Sequence, residues 1–217
     1  MILAEPARAP EAPSRDCPLC PRLAAFREEQ RARFPDWHNA PVDSFGPVGA
    51  RLLILGLAPG LRGANRTGRP FTGDYAGDLL YATLIKFGFA TGRFEARPDD
   101  SLALVDARIA NAVRCVPPQN KPDPSEIRTC RVFLESELAA LPQGGAIVAL
   151  GRIAHDSALR ALGAKLKDAP FGHNAEHRIG GVALFDSYHC SRYNTNTGVL
   201  TTEMFEAVFA KVRGYLG

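Results

Sequence analysis

Apolar positions along the chain come in two recurring forms, short unbroken runs and longer amphipathic stretches. Arg51 to Leu55 (RLLIL) is a continuous apolar run bounded by glycine, the pattern of a strand buried on both faces. Ala107 to Val113, Ala146 to Leu150 (AIVAL) and Val182 to Ser187 read the same way. Helical stretches separate them: Gly77 to Phe89, Ser125 to about Ala140 with Glu126 in its first turn, and Arg152 to about Leu162. Thr201 to Leu216 closes the chain as a further helix. Pro21 to Arg33 is another, with proline at its start, Leu23, Ala24 and Phe26 on its apolar side and charges elsewhere. Strand and helix alternate four times. This predicts an α/β fold, a three-layer α/β/α arrangement whose central four-stranded parallel sheet is flanked by helices on both faces.

Such sheets bind ligands beyond the carboxyl ends of their strands. Here those ends are Gly56 to Gly60, Asn111 to Cys115, Gly151-Arg152 and Tyr188 to Ser191, all polar or glycine-rich. Residues 1–14 (MILAEPARAPEAPS) are rich in alanine and proline and read as a flexible tail that contributes nothing to the fold. Residues 15–217 are expected to form a single domain.

Composition narrows the class further. The formal net charge is only +3, yet 21 of the 26 basic residues are arginine. Arginine suits planar anions such as phosphate, which it grips in a bidentate fashion, although a GC-rich genome would enrich it as well. No run of 18 apolar residues is present to span a bilayer, and the N-terminus lacks the basic start and apolar stretch of a secretory signal. The expected compartment is therefore a reducing cytoplasm, with no membrane partner. In that setting five cysteines do not suggest a disulfide framework.

Cys17-Pro18-Leu19-Cys20 is a C-x-x-C pair, and Cys115 and Cys130 follow about a hundred residues later. Two thiolates from one turn and two from elsewhere can complete a tetrahedral metal set. The spacing leaves zinc and iron–sulfur open, and also a redox dithiol or free thiols. No strand precedes Cys17, which disfavours the redox reading, and flanking prolines suit a rigid metal knuckle. Cys190 is left over and reads as a small filler residue.

The loop Gly56-Leu57-Ala58-Pro59-Gly60 follows a buried strand, so its backbone can approach a ligand closely. It is neither a phosphate-cradling P-loop, which needs Gly-Lys-Ser/Thr, nor a G-x-G-x-x-G dinucleotide fingerprint. Within the next stretch, Arg62, Asn65, Arg66, Thr67 and Arg69 resemble a set of backbone-phosphate contacts. Phe71 stands alone in that polar loop and either stacks on a ligand or plugs the local core. Asp74 could be a functional carboxylate or merely the cap of the helix after it.

Together these pieces resemble the iron–sulfur uracil-DNA glycosylases, from Cys17 to the last helix. The residues that carry the resemblance are Cys17-x-x-Cys20, GLAPGLRGANRTGRPFTGD (56–74), NAVRCVPPQNKP (111–122), Cys130 and SYHCSRYNTNTG (187–198). In the branch called family 4 the second residue of the glycine loop is acidic; here it is Leu57. The GLAPG and FTGD motifs, with their carboxylate at Asp74, look like family 5, or type B. Asn111 departs from that pattern. It stands where family 4 places a base-reading asparagine and family 5 is expected to have a small residue, which leaves the substrate range open.

The resemblance implies a monofunctional glycosylase that hydrolyses the bond between deoxyribose and uracil in double-stranded DNA, with deaminated purines such as hypoxanthine and xanthine as further candidates. A base inside a stacked duplex is out of reach, so the nucleotide must be flipped into a pocket. By resemblance Phe71 stacks on the base, and Gly56, Leu57, Ala58, Pro59 and Gly60 line the pocket with Asn111. Asp74 orients water and stabilises the sugar cation, Asn120 is a second candidate for holding the water, and His189 donates to a base carbonyl as charge builds there. Arg62, Asn65, Arg66, Arg69, Ser191 and Arg192 are the expected DNA contacts. The cofactor implied is a structural [4Fe–4S] cluster on Cys17, Cys20, Cys115 and Cys130, and the protein is expected to be a monomer. His38, His155, His173 and His177 lack any such context. The competing class is a metal-containing DNA-binding module without activity, which the presence of Asp74 disfavours. A nucleotide-utilising α/β enzyme is disfavoured by the missing P-loop lysine. No lysine is placed to form an imine with the sugar, which points to simple hydrolysis without strand cleavage.

Overall fold

The structure, a computed structural model, describes residues 9–217. Its strands are β1 (Leu52–Gly56), β2 (Ala90–Thr91), β3 (Ala103–Leu104), β4 (Ala107–Asn111), β5 (Ala146–Leu150), β6 (Glu176–Ile179) and β7 (Val182–Ser187). Its α-helices are α1 (Pro21–Arg33), α2 (Ala64–Thr67), α3 (Tyr75–Lys86), α4 (Pro124–Ala139), α5 (Arg152–Ala161), α6 (Arg192–Asn196) and α7 (Thr202–Leu216). The main sheet runs β4-β1-β5-β7-β6. β4, β1, β5 and β7 pair in parallel, and β6 is antiparallel to β7.

The four parallel strands are the four apolar runs of the sequence. The sheet has five strands rather than four, because β6 (EHRI) is half-exposed and too polar to read as a buried run. The available signal was Gly180-Gly181, both at positive φ, which close a tight hairpin between β6 and β7.

Period-2 alternation within β1 explains the three layers. Leu52 and Ile54 face a core shared with Leu80 and Leu84 of α3 and Phe205, Val208, Phe209 and Val212 of α7. Leu53 and Leu55 face the opposite core, with Leu134 of α4 and Ala154, Ala158 and Leu159 of α5. Apolar burial on both faces of one sheet is the dominant stabilising contribution.

A third, smaller cluster joins α1 to the end of β4 and to α4 through Leu23, Val113, Cys130 and Phe133. Here α1 differs from its sequence reading. Its buried face is Leu23, Arg27 and Gln30 rather than Leu23, Ala24 and Phe26, because the Arg27 guanidinium turns inward toward the cysteines. Of the proposed tail, residues 1–8 lie outside the described residues. Beyond them, the Glu11 N–H donates to Ser136 of α4 at 2.7 Å, and Pro13 borders the cysteine site.

Candidate active site

The carboxyl ends of β1, β4 and β7 open into a cavity of about 470 Å³. The β1 loop supplies Leu57, Ala58, Pro59 and Gly60 to its wall, and the segment after it adds Phe71 and Asp74. Asn111 and Asn120 enter from the β4 side, and His189, Ser191 and Arg192 from the β7 side. Gly151 and Arg152, at the end of β5, are not part of the wall.

The loops that form this cavity are laced together. Gly56 pairs in register with Asn111, the Ala112 N–H donates to Gly56 O at 3.0 Å, and the Val113 N–H donates to Leu57 O at 2.9 Å. Gly56 itself lies behind the wall. A Cβ there would overlap the Asn111 Oδ1 and come within 2.8 Å of Phe71 Cζ, so glycine is what lets both side chains reach the cavity. Asn111 is buried, and its Oδ1 has no hydrogen-bond partner. Such an atom lacks the compensation that buried polar groups normally find.

Phe71 sits at φ 51, a conformation strained for a side chain of that size. Several contacts hold it there. Tyr81 Oη donates to Pro70 O at 2.6 Å, and Thr67 Oγ1 donates to Thr72 O at 3.0 Å. Gly77 of α3 packs against Phe71 O, where a Cβ could not fit. The Phe71 ring belongs to the core on one side and lines the cavity on the other. Its centroid is 6.0 Å from that of the His189 ring, and the planes are inclined by 27°.

Asp74 is the N-cap residue of α3, yet its side chain makes no capping hydrogen bond, and Oδ1 is buried without a partner. Burial raises its pKa; the nearby amides of Gly77 and Ala76 oppose the rise without a well-aligned bond. The capping role is therefore weak at most: the amides of Ala76 and Gly77 lie near the carboxylate, but Oδ1 is left without a partner. On the β7 side of the cavity, burial pushes the His189 pKa down to about 4, so the imidazole is neutral at pH 7. Its backbone is anchored by Asn194 Nδ2, which donates to His189 O at 2.8 Å. Cys190, fully buried, contacts Ala76 O and packs in the core as a filler residue.

Two expected DNA contacts are structural instead. The Asn65 side chain is buried and donates to Asn39 Oδ1 at 2.9 Å. Arg69 is buried too. It grips Asp100 with bonds of 2.7 and 2.8 Å, donates to Thr72 Oγ1 at 2.8 Å, and lies over the rings of Phe45, Tyr81 and Phe94. Sequence alone could not separate it from Arg62 and Arg66, which are exposed on the same segment. Residues 191–198, read as a loop, hold the short helix α6. Sequence reasoning also missed Tyr75, Ala64 and Ala76 in the cavity wall. Tyr75 is 38% exposed with the Arg192 guanidinium 5.3 Å from its ring centre, and Tyr193 of α6 is 74% exposed. An aromatic directly after Asp74, in a polar stretch, was the signal available.

The four sequence-predicted metal ligands converge around a small cavity beside this site. Cys17 and Cys20 precede α1, Cys115 follows β4, and Cys130 lies on α4. Burial raises the thiol pKa of Cys115 to about 11 and of Cys130 to about 12. Arg27 approaches Cys115 Sγ at 3.7 Å, and the Arg114 N–H donates to Cys130 Sγ at 3.4 Å. Both would stabilise thiolates. Among the described residues, no three of these sulfurs lie within 4.8 Å of one another. Four thiols on one small cavity, two of them met by Arg27 and the Arg114 N–H, fit the donor set of a single thiolate-held metal centre.

The strand ends thus gather an apolar cavity, a half-buried carboxylate and a neutral histidine at one rim of an α/β sheet. The uracil-DNA glycosylase superfamily model matches residues 43–213, and the chain belongs to that superfamily. It is 46% identical over 208 residues to the type-5 uracil-DNA glycosylase of Thermus thermophilus, covering 93% of this chain and 94% of the relative. The type-5 enzyme of Mycobacterium tuberculosis is 42% identical, over 93% of this chain and 78% of its own length. A type-4 enzyme of Thermotoga maritima is 30% identical over 67% of each chain. Among the described residues no helix is long and apolar enough to cross a membrane.

Proposed function

We propose that the protein removes uracil from DNA as a monofunctional type-5 glycosylase, with Asp74 and His189 acting on opposite sides of the scissile bond. The observation that carries this reading is Asp74: a half-buried carboxylate at a helix start, facing an apolar cavity, with Oδ1 buried and unpartnered. With the uridine flipped in, Phe71 supports the face of the base and Asn111 reads its edge, the free Oδ1 accepting from an imide N–H. As the glycosidic bond lengthens, positive charge grows on the sugar and negative charge on the base carbonyls. The Asp74 carboxylate opposes the first and orients the attacking water, with Asn120 in reach of the same water. Neutral His189 donates an N–H to the base carbonyl; a preorganised donor of this kind contributes about 10²–10³ in rate. Hypoxanthine and xanthine carry the same N–H and carbonyl edge, and the cavity has room for a purine.

Cys17, Cys20, Cys115 and Cys130 would hold a [4Fe–4S] cluster, which supplies no electron to a hydrolysis and ties α1 to β4 and α4. Arg62, Arg66, Ser191 and Arg192 contact the DNA backbone, and the protein acts as a monomer. The test is single-turnover excision from oligonucleotides carrying uracil, hypoxanthine or xanthine, with wild type and Asp74→Asn. Loss of about 10²-fold or more, roughly 2.7 kcal/mol, with substrate binding and melting temperature retained, supports the assignment. A normal rate with a lowered melting temperature removes Asp74 from the chemistry.

A further inference from the structure

Away from both the cavity and the cysteines, three residues distant in sequence meet under the β6 edge of the sheet. They are His155 on α5, His177 on β6 and Asp186 on β7. One ligating atom from each lies within 4.8 Å of the others. The side chains of His155 and Asp186 are 1% and 0% exposed, and that of His177 is 15% exposed. We infer that this trio is a binding site for one divalent transition-metal ion of the zinc type, separate from the cysteine set.

Three observations carry the inference. His177 Nε2 is buried and has no hydrogen-bond partner, although Asp186 Oδ2 is only 3.4 Å away. That separation is poorly aligned for a hydrogen bond, but it is close to the edge of a tetrahedron whose ligands stand about 2.0–2.1 Å from the ion. Next, His155 Nε2 lies 2.9 Å from Ala169 O, an acceptor only, so Nε2 carries the proton and donates. His155 Nδ1 faces Asp186 Oδ1 at 2.7 Å, where a proton bridges the pair in the free protein, and the ion would take that proton's place as the two groups part slightly. An N–H turned to a backbone carbonyl is also how metal-bound histidines are held. Lastly, the carboxylate has outer support, since the Gly172 N–H donates to Asp186 Oδ2 at 3.4 Å, and Phe171 covers the His155 ring edge-on at 5.5 Å. Two imidazoles and one carboxylate suit zinc and its neighbours, with a fourth position left for water. Bound there, the ion would pin the edge strand and α5 to β7, three residues before His189.

The test uses the cluster-loaded protein, so that the cysteines are occupied, and titrates it with Co²⁺ and then Zn²⁺. The expected result is one equivalent of tetrahedral Co²⁺ with no thiolate charge-transfer band, displaced by Zn²⁺. His177→Gln, at an edge-strand position outside the hydrophobic clusters, should weaken binding by more than the 10–100-fold that losing an outer hydrogen-bond partner costs. The melting temperature of the wild type should rise with metal, and that of the variant should not. No saturable binding, binding unaffected by His177→Gln, or a thiolate band would overturn the proposal. Any of these would leave the trio as a proton-bridged ion pair beside an unpaired histidine.

Discussion

The carboxylate of Asp74 occupies the space over the Gly63 backbone: a Cβ on Gly63 would overlap Asp74 Oδ2, whereas one on Gly60 would meet it at 3.2 Å. The carboxylate direction therefore depends on the absence of a side chain eleven residues earlier, at the start of α2. Gly63→Ala should displace the carboxylate and lower the single-turnover rate about tenfold or more with substrate affinity retained, because small misplacements of a reacting group are costly. Gly60→Ala should be milder. Equal effects of the two substitutions would show that Gly63 does not orient Asp74.

Arg69 separates structure from DNA contact. Replacing it by methionine leaves Asp100 without its counter-ion and held only by the N–H groups of Glu95 and Leu102, a loss bounded by the cost of breaking a buried pair, about 3–5 kcal/mol. The slope of DNA affinity against salt should stay as in wild type. Arg62→Ala, Arg66→Ala and Arg192→Ala should each keep the melting temperature and reduce that slope by about 0.9 per lost phosphate contact. A shallower slope for the Arg69 variant would return that residue to the interface. Acid should expose the same pair: Arg69 holds the Asp100 pKa down to about 2, so its stabilisation is complete above the usual 3.8 and is lost as pH falls toward 2.

His189 sets a different pH signature. Its folded pKa of about 4 lies below the ordinary 6.5, so between those values the unfolded chain binds more protons and stability falls as pH drops. The imidazole stays a neutral donor throughout that window. Excision should accordingly be flat through pH 6.5 and decline only where His189 and the raised Asp74 carboxyl take up protons. An inflection at 6.5 in the single-turnover profile, absent from His189→Asn, would mean that the ring titrates normally.

Asn111 carries an unpaired buried oxygen, so truncating it removes an orphan acceptor from the free enzyme. Asn111→Ala should change stability by no more than about 1 kcal/mol. It should also lower uracil excision by about 10–100-fold, the cost of leaving the base edge unpaired. Unchanged excision would mean that the backbone alone reads the base.

The cysteines predict about four irons per chain in the protein as isolated, with loss of iron on Cys17→Ser or Cys130→Ser. Cys190→Ser should keep its iron, since that thiol packs against Ala76 in the main core and not with the other four cysteines. Loss of iron from the Cys190 variant would show that the ligand set is different.

By itself the sequence determined the parallel core of the sheet, because β1, β4, β5 and β7 are buried on both faces and their apolar runs need no context to be read. It also brought Phe71, Asp74 and His189 to one rim, since topology alone gathers the ends of parallel strands. Tertiary structure decided what depends on partners distant in the chain. Arg69 and Arg66 are chemically alike, and only the burial of Asp100 thirty-one residues away draws one inward while the other stays in water. Arg27 looked like the solvent side of α1 until the cysteines gave its charge a place to turn. The β6 edge had too little apolar pattern to announce itself; it is held by a Gly180-Gly181 hairpin and by pairing with β7. That pairing also brings His177 to His155 and Asp186, a meeting that no spacing along the chain encodes.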